Sequence, residues 1–258
     1  IVLLTFNIGT AFANDKYLLY YGNGNTGGDT PAALAVPANA DPTAVTISDN
    51  VGNLEKTGYT LLRWNESASG GPESYSIASA PAGTAKYTTA DLSSVEILKL
   101  YAEWDPNSYT LTYNANADTS KYTGADFTGS FLPPSASHEY TSAVSAAAAL
   151  TMTGYTFKEW NSAADGSGQT TLSAGAPFSM TAGNIDLYAQ WDINSYTVTY
   201  NANADNYTYA NYTGTSPYTA TYEYYKAVTA PNDLTITGYS FNSWNTKADG
   251  SGTSYTSV

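Results

Sequence analysis

A nine-residue motif occurs three times along the chain, and this repetition limits the possible fold more than any other feature of the sequence. It reads TGYTLLRWN at residues 57–65, TGYTFKEWN at 153–161 and TGYSFNSWN at 237–245. Three copies of so specific a pattern are typical of a chain that repeats one small structural unit, here called a module.

Two further motifs repeat in the same order around the first. The sequence YTLTYNAN at 109–116 returns as YTVTYNAN at 196–203, and KYLLYYGN at 16–23 is a degenerate first copy. The sequence LYAEWD at 100–105 returns as LYAQWD at 187–192. The repeats predict module 1 at 16–105, module 2 at 106–192 and module 3 at 193–258, after an N-terminal segment at 1–15.

Each motif has the pattern of a β-strand or of a turn. YTVTY alternates its side chains between two faces and predicts the opening strand of a module. Alternate residues of the LYAQW motif face one way and predict a closing strand with one buried face. The glycine of TGY predicts a positive φ, and the DGSG sequences at 165–168 and 249–252 predict tight turns. The sequence therefore predicts a mainly β fold, with one possible helix at 143–150, where alanine dominates.

The composition agrees with a β-rich chain and excludes several functions. Charged residues make up 12% of the 258 residues and there are 24 tyrosines, a residue that suits a half-buried strand. The net charge of −13 argues against nucleic acid as a partner, because such a surface repels phosphates. No stretch approaches the roughly 20 apolar residues that span a bilayer. Without cysteine, the chain has no disulfides and no thiolate metal site.

Together these motifs resemble the Listeria–Bacteroides repeat, a module also found as the B-repeats of listerial internalins. The resemblance runs from about residue 16 to the end of the chain. It implies a β-grasp-like (α+β) module of extracellular cell-envelope proteins, used as a stalk or a binding unit, with no catalytic residues. Module 1 departs from the pattern, because SGGP at 69–72 replaces the ADGSG sequence.

Module 3 has no counterpart of residues 176–191, because Val258 aligns with Gly175. That stretch contains the closing strand of module 2. We expect a module without its closing strand to expose a hydrophobic groove and an unpaired sheet edge. The aromatic residues expected to line this groove as acceptors are Tyr239, Phe241 and Trp244.

The N-terminal segment has the pattern of an additional closing strand. Its alternate apolar residues match Ile185, Leu187, Ala189 and Trp191 in spacing; they are Val2, Leu4, Phe6 and Ile8. We therefore expect residues 1–8 to act as a donor strand that completes module 3 of another subunit. Two alternatives remain open. Residues 1–13, which end in AFA, also resemble the apolar part and cleavage site of a signal peptide, and the segment could fold back on its own chain.

We expect no catalytic, cofactor or metal site. His138 is the one histidine, no pair of acidic residues recurs in all three modules, and the DGSG loops have too few ligands for an EF-hand. The periodic aromatic residues favour a core over a carbohydrate-binding surface. Possible glycosylation sequons begin at Asn65, Asn206 and Asn211.

These observations predict a structural subunit of an extracellular, pilus-like filament at the cell surface, a homopolymer assembled head-to-tail by donor-strand complementation. Its partners would be identical subunits, with cell-surface or carbohydrate ligands as further possibilities. The alternative is a monomeric adhesin stalk whose final strand lies beyond residue 258.

Overall fold

The computed structural model describes most of the chain. The described residues are 15–42, 45–48, 50, 52–71, 74–76, 89–90, 92–117, 120, 122, 132–206, 211–214, 216–231 and 234–256. The chain divides into two compact units, one of residues 1–111, 136–144 and 178–185, the other of residues 112–135, 145–177 and 186–258. Module 1 belongs to the first unit and module 3 to the second, and module 2 contributes residues to both.

Module 1 contains a five-stranded sheet and a separate two-stranded ladder. Its strands are β1 (Lys16–Tyr21), β2 (Leu34–Val36), β3 (Val45–Thr46), β4 (Tyr59–Asn65), β5 (Ser74–Ser76), β6 (Thr89–Ala90) and β7 (Ile97–Pro106). The sheet has the order β2-β1-β7-β4-β5, and β3 pairs with β6. The closing strand β7 lies in the middle, where it is parallel to β1 and antiparallel to β4.

A β-bulge in β4 explains the spacing of its core residues. Leu61 lies opposite Trp104 and Arg63 lies opposite Glu103, so β4 has one extra residue between these pairs. In a regular strand, residues three apart point to opposite faces, and an extra residue reverses this. Leu61 and Trp64 consequently both contribute to the core of module 1.

The core of module 1 is formed by apolar side chains from both ladders. The buried residues of this cluster are Leu18, Tyr20, Val36, Val45, Ile47, Leu54, Trp64, Leu92, Leu98, Leu100 and Ala102. The alternation of β7 follows from this packing, because Leu98, Leu100 and Ala102 face the core while the residues between them do not.

Module 2 repeats this arrangement. Its strands are β8 (Ser108–Asn114), β9 (Ala136–Glu139), β10 (Ala143–Ser145), β11 (Tyr155–Asn161), β12 (Thr171–Leu172), β13 (Pro177–Ser179) and β14 (Ile185–Ile193). The sheet order β9-β8-β14-β11-β12 again has the closing strand in the middle, and β10 pairs with β13. The bulge recurs between Phe157 and Glu159.

Module 3 consists of separate two-stranded sheets. Two of them correspond to the pairs that flank the central strand in module 2. Its elements are β15 (Ser195–Tyr200), a 3-10 helix (Ala204–Asn206), β16 (Tyr212–Thr213), β17 (Tyr218–Glu223), β18 (Thr235–Ile236), β19 (Trp244–Asn245) and β20 (Ser254–Tyr255). The pairs are β15 with β17, β16 with β18 and β19 with β20. Within the described residues, β15 and β19 each pair on one side only.

The predicted mainly β fold is confirmed, and the β-grasp comparison stays a prediction. The possible helix at 143–150 was wrong: Ala143–Ser145 is strand β10, and the described residues contain no α-helix. Tertiary partners take the backbone groups that a helix would use. Ala146 N donates to the carbonyl of Ala176, and Ala147 accepts a hydrogen bond from the Trp160 indole. Alanine's helix propensity is too weak to outweigh such contacts.

Candidate functional site

The tryptophan of the first motif anchors the core of modules 1 and 2. Trp64 and Trp160 are both 0% exposed. Their indole Nε1 atoms donate to the carbonyl oxygens of Ser48 at 3.1 Å and Ala147 at 2.9 Å. A buried indole N–H usually has such a partner, because an unmade hydrogen bond is costly.

Trp244, the third copy, retains the ring contact but lacks the hydrogen bond. Its ring packs edge-on against Tyr200 with a centroid distance of 4.8 Å, which matches the 4.8 Å between Tyr113 and Trp160. Its Nε1 atom is buried and has no hydrogen-bond partner among the residues that the structure describes. The core of module 3 is therefore formed only in part.

The closing strand supplies the other half of the core in modules 1 and 2. Leu100 and Ala102 of β7 are 0% exposed, as are Leu187 and Ala189 of β14. In β14, Trp191 meets Phe157 edge-on at 5.8 Å, and its indole Nε1 donates to the carbonyl of Ala115 at 2.9 Å. This strand thus joins the opening strand's end to the tryptophan-bearing strand.

In module 3 the aromatic side chains at the equivalent position are exposed. Tyr239 is 46% exposed and Phe241 is 50% exposed, whereas Tyr155 in module 2 is only 8% exposed. With Trp244, these are the three residues that the sequence predicted as acceptors. Tyr239 and Phe241 precede β19, which contains Trp244 and pairs on one side only within the described residues. This part of module 3 is a candidate strand-binding site, here called the strand acceptor.

An asparagine organises the loop after the tryptophan of the first motif, and it is buried in modules 1 and 2. In module 2, Asn161 is 1% exposed; its Oδ1 accepts hydrogen bonds from Ala163 N and Gly168 N, and its Nδ2 donates to the carbonyl oxygens of Gly166 and Gly168. Asn245 makes the same set of contacts in module 3. Gly166 has the positive φ, 81°, that a turn here requires. The DGSG sequences are therefore structural turns, as predicted.

The junction between modules 1 and 2 is closed by hydrogen bonds and aromatic contacts. Asn107 N donates to the carbonyl of Gly58 at 2.9 Å, and Tyr140 N donates to the carbonyl of Asn107 at 2.8 Å. The hydroxyl of Thr60 donates to Asn107 Oδ1 at 2.5 Å. The rings of Tyr59 and Tyr140 meet edge-on at 5.3 Å.

The junction between modules 2 and 3 repeats these contacts. Asn194 N donates to Gly154 at 2.9 Å, Tyr224 N donates to Asn194 at 2.8 Å, and the Thr156 hydroxyl donates to Asn194 Oδ1 at 2.6 Å. The rings of Tyr155 and Tyr224 meet edge-on at 6.0 Å. Burial raises the pKa of Tyr155, with smaller contributions from nearby tyrosines and Glu223. The sequence did not predict this shared set of contacts, although Asn107 and Asn194 recur at equal positions.

A scan against family models identifies the repeated unit. The Listeria-Bacteroides repeat domain matches residues 20–102, 109–190 and 196–258. The chain belongs to the Listeria-Bacteroides repeat family. The resemblance drawn from the motifs is thereby confirmed, and each module is one Listeria-Bacteroides repeat.

Two relatives that carry similar repeats come from Evansella cellulosilytica. A "Putative Gly-rich membrane protein" is 40% identical over 111 residues, which are 41% of this chain and 12% of that protein. A "Putative membrane protein" is 31% identical over 162 residues, 61% of this chain and 21% of that protein. The chain thus spans a small part of each relative, and both names describe a membrane protein. No solved structure matches the chain.

The other predicted site residues have different surroundings. The donor residues Val2, Leu4, Phe6 and Ile8 lie outside the described residues. Asn65 is 1% exposed and its Nδ2 donates to Gly71 O and Glu103 Oε2, so a glycan there would have to be attached before the repeat folds. Asn206 ends the 3-10 helix, and Asn211 is exposed. Glycosylation stays a prediction at all three.

The described parts of the chain contain no group of three His, Asp or Glu side chains that could hold a metal ion. None of these segments forms a helix with the length and apolar character that crossing a bilayer requires.

Proposed function

We propose that the chain is a structural subunit of an extracellular filament that assembles by donor-strand complementation. Residues 1–8 of one copy would enter the strand acceptor of the next. The observation that carries the proposal is the exposure of Tyr239 and Phe241 beside a free strand edge, where modules 1 and 2 have a buried central strand.

The donor sequence suits the acceptor in polarity and in volume. In the alignment with β14, Leu4 takes the place of Leu187, Phe6 that of Ala189 and Ile8 that of Trp191. Phe6 is larger than the residue it replaces and Ile8 is smaller, so the total apolar volume is similar. Cores tolerate such exchanges when the volume and the pattern are kept.

A strand donated in this way produces a polymer. The donor is at one end of the chain and the acceptor is at the other, so the contact is head-to-tail and does not close on itself. Main-chain hydrogen bonds to both free edges would supply affinity, and the alternate apolar side chains would supply specificity. The role is structural and requires neither a catalytic residue nor a cofactor.

The second candidate is a stalk segment of a longer cell-surface adhesin. The two relatives favour it, because the matching region is 12% of one protein and 21% of the other. In that case the strand acceptor of module 3 would be filled by sequence that follows residue 258. The location is extracellular under both proposals, with cell-surface or carbohydrate ligands as candidate partners of the stalk.

Phe6→Asp tests the filament proposal. A charge placed at the centre of the donated strand would be buried without a partner, so the variant should remain monomeric while the unmodified chain forms oligomers. The measurement is light scattering after size-exclusion chromatography, with electron microscopy of the same fractions.

Thr5→Asp is the matched control. It adds the same charge to the opposite face of the strand and should leave assembly intact, because residues one apart in a strand point to opposite faces. If the unmodified chain is a single monomeric species, or if both variants assemble equally well, the filament proposal is wrong and the stalk takes its place.

A further inference from the structure

The two junctions share a contact that fits one glycine to one tyrosine. Gly58 and Gly154 both have a φ of 78°. A Cβ atom added to Gly58 would overlap the ring of Tyr140, and one added to Gly154 would overlap the ring of Tyr224. Each junction therefore requires its glycine for two reasons: the backbone has a positive φ, and a side chain would overlap the tyrosine ring.

An asparagine lies beside each of these contacts and forms backbone hydrogen bonds to residues of both adjoining modules. Asn107 joins the carbonyl of Gly58 to the amide N of Tyr140, and Asn194 joins Gly154 to Tyr224 in the same way. We call this set of contacts, a tyrosine ring over a glycine with an asparagine beside it, the glycine–tyrosine latch.

Module 3 carries the glycine side of the latch, and among the described residues no ring lies over it. Gly238 has a φ of 81°, and apart from its own chain neighbours no described residue has an atom within 4 Å of the position of an added Cβ. Tyr239 and Ser240, the counterparts of Tyr155 and Thr156, are both exposed. The backbone conformation is thus already set for the contact.

We propose that the surface around Gly238 is a docking site for a further repeat of this family, one that has an asparagine before its first strand and a tyrosine directly after its second. The two filled latches of this chain define that partner. The proposal goes beyond the filament and does not depend on it.

Module 1 of another copy has an asparagine, Asn14, at the position of Asn107, but it lacks the tyrosine. Ala38 stands where modules 2 and 3 have Tyr140 and Tyr224, because β1 and β2 pair with Lys16 opposite Val36. The amide N of Ala38 donates to Asp15 Oδ1 at 3.2 Å. A contact between copies through residues 1–8 would therefore lack the latch.

A matched pair of substitutions tests the latch in the chain as it is. Gly154→Ala and Gly238→Ala impose the same backbone strain, but only Gly154→Ala displaces a tyrosine ring. We expect Gly154→Ala to lower the folded-to-unfolded ratio of its repeat roughly 5–30-fold more than Gly238→Ala, as measured by urea unfolding. Equal effects of the two substitutions would overturn the proposal.

An extended chain tests the docking site itself. Residues 176–258 are appended after Val258, which completes module 3 and adds a fourth repeat with its own copies of Asn194 and Tyr224. A shorter extension, residues 176–192 alone, controls for the added strand. In the longer chain, Gly238→Ala should become as destabilising as Gly154→Ala, and in the shorter chain it should not.

In the longer chain, Tyr224→Ala made only in the appended copy should reduce the destabilisation caused by Gly238→Ala to the smaller value expected in the shorter chain. The proposal is wrong if Gly238→Ala has the same effect in both extended chains. Should the longer chain fail to fold, the Gly154 and Gly238 comparison in the unextended chain still decides whether the latch exists. Failure of the filament would leave all these outcomes unchanged.

Discussion

Single side chains hold large parts of each repeat in place, and Asn161 is the clearest case. Its amide contacts four backbone groups of one loop while it is 1% exposed. The recurring Trp-Asn pair in the sequence marked this position, but the loop contacts could not be foreseen. They depend on the turn that the glycines allow.

We expect Asn161→Ala to destabilise module 2 by about 1–3 kcal/mol, because buried backbone groups lose their partners. Urea unfolding followed by tryptophan fluorescence measures this change. Asp165→Asn in the same exposed loop is the control, and it should change stability by less than about 0.5 kcal/mol because an amide oxygen can still accept from Ser167. An unchanged stability for Asn161→Ala would show that the loop does not depend on the asparagine.

Among the elements, the strands were easier to predict than their order. The alternation of β8, β14 and β15 is visible in the sequence, and the Phe-x-x-Trp spacing of β11 is a sign of a bulge that only the structure established. The central position of the closing strand could not be predicted, because a parallel pairing such as β1 with β7 joins residues far apart in the chain. The alanine-rich stretch at 143–150 was misassigned for the same reason: distant partners decide its conformation.

The unequal pairing of equivalent strands predicts unequal protection from hydrogen exchange. Strand β11 (Tyr155–Asn161) pairs with β14 on one side and β12 on the other, whereas within the described residues its counterpart β19 begins only at Trp244 and pairs with β20 alone. In the monomeric chain, the backbone amides of residues 239–243 should exchange much faster than those of residues 155–159, because local opening of the segment 239–243 costs less free energy. Hydrogen-exchange mass spectrometry measures both segments in one sample. Equal protection in the monomer would contradict the open strand acceptor, and protection gained on assembly would support strand insertion.

At the scale of the whole molecule, three repeats are joined by two equivalent junctions. We propose that residues 1–8 of another copy complete the third repeat. The repeat family and the number of copies could be predicted from the sequence, because the motifs are long and specific. The acceptor role of Tyr239, Phe241 and Trp244 stays a prediction, and these residues copy ones that are more buried in module 2. The strand that enters the acceptor also stays a prediction, because the donor residues 1–8 lie outside the described residues.

A pair of introduced cysteines can show whether residues 1–8 of another copy complete module 3, since the chain contains no cysteine of its own. In module 2, Gln190 lies opposite Glu159, and the matching residues of donor and acceptor are Asn7 and Ser243. Opposite residues of antiparallel strands have Cα atoms about 4.5–5.5 Å apart, a distance that a disulfide can span. The control is the pair Asn7→Cys and Glu159→Cys. Residue 159 already lies opposite Gln190 of its own module, so a donated strand cannot pair with it.

The measurement is non-reducing electrophoresis of the Asn7→Cys, Ser243→Cys variant after mild oxidation. Donation between copies predicts a ladder of disulfide-linked oligomers that collapses to one band on reduction, with no ladder from the control pair. A single monomeric band, with or without an internal crosslink, would contradict assembly by donor-strand complementation.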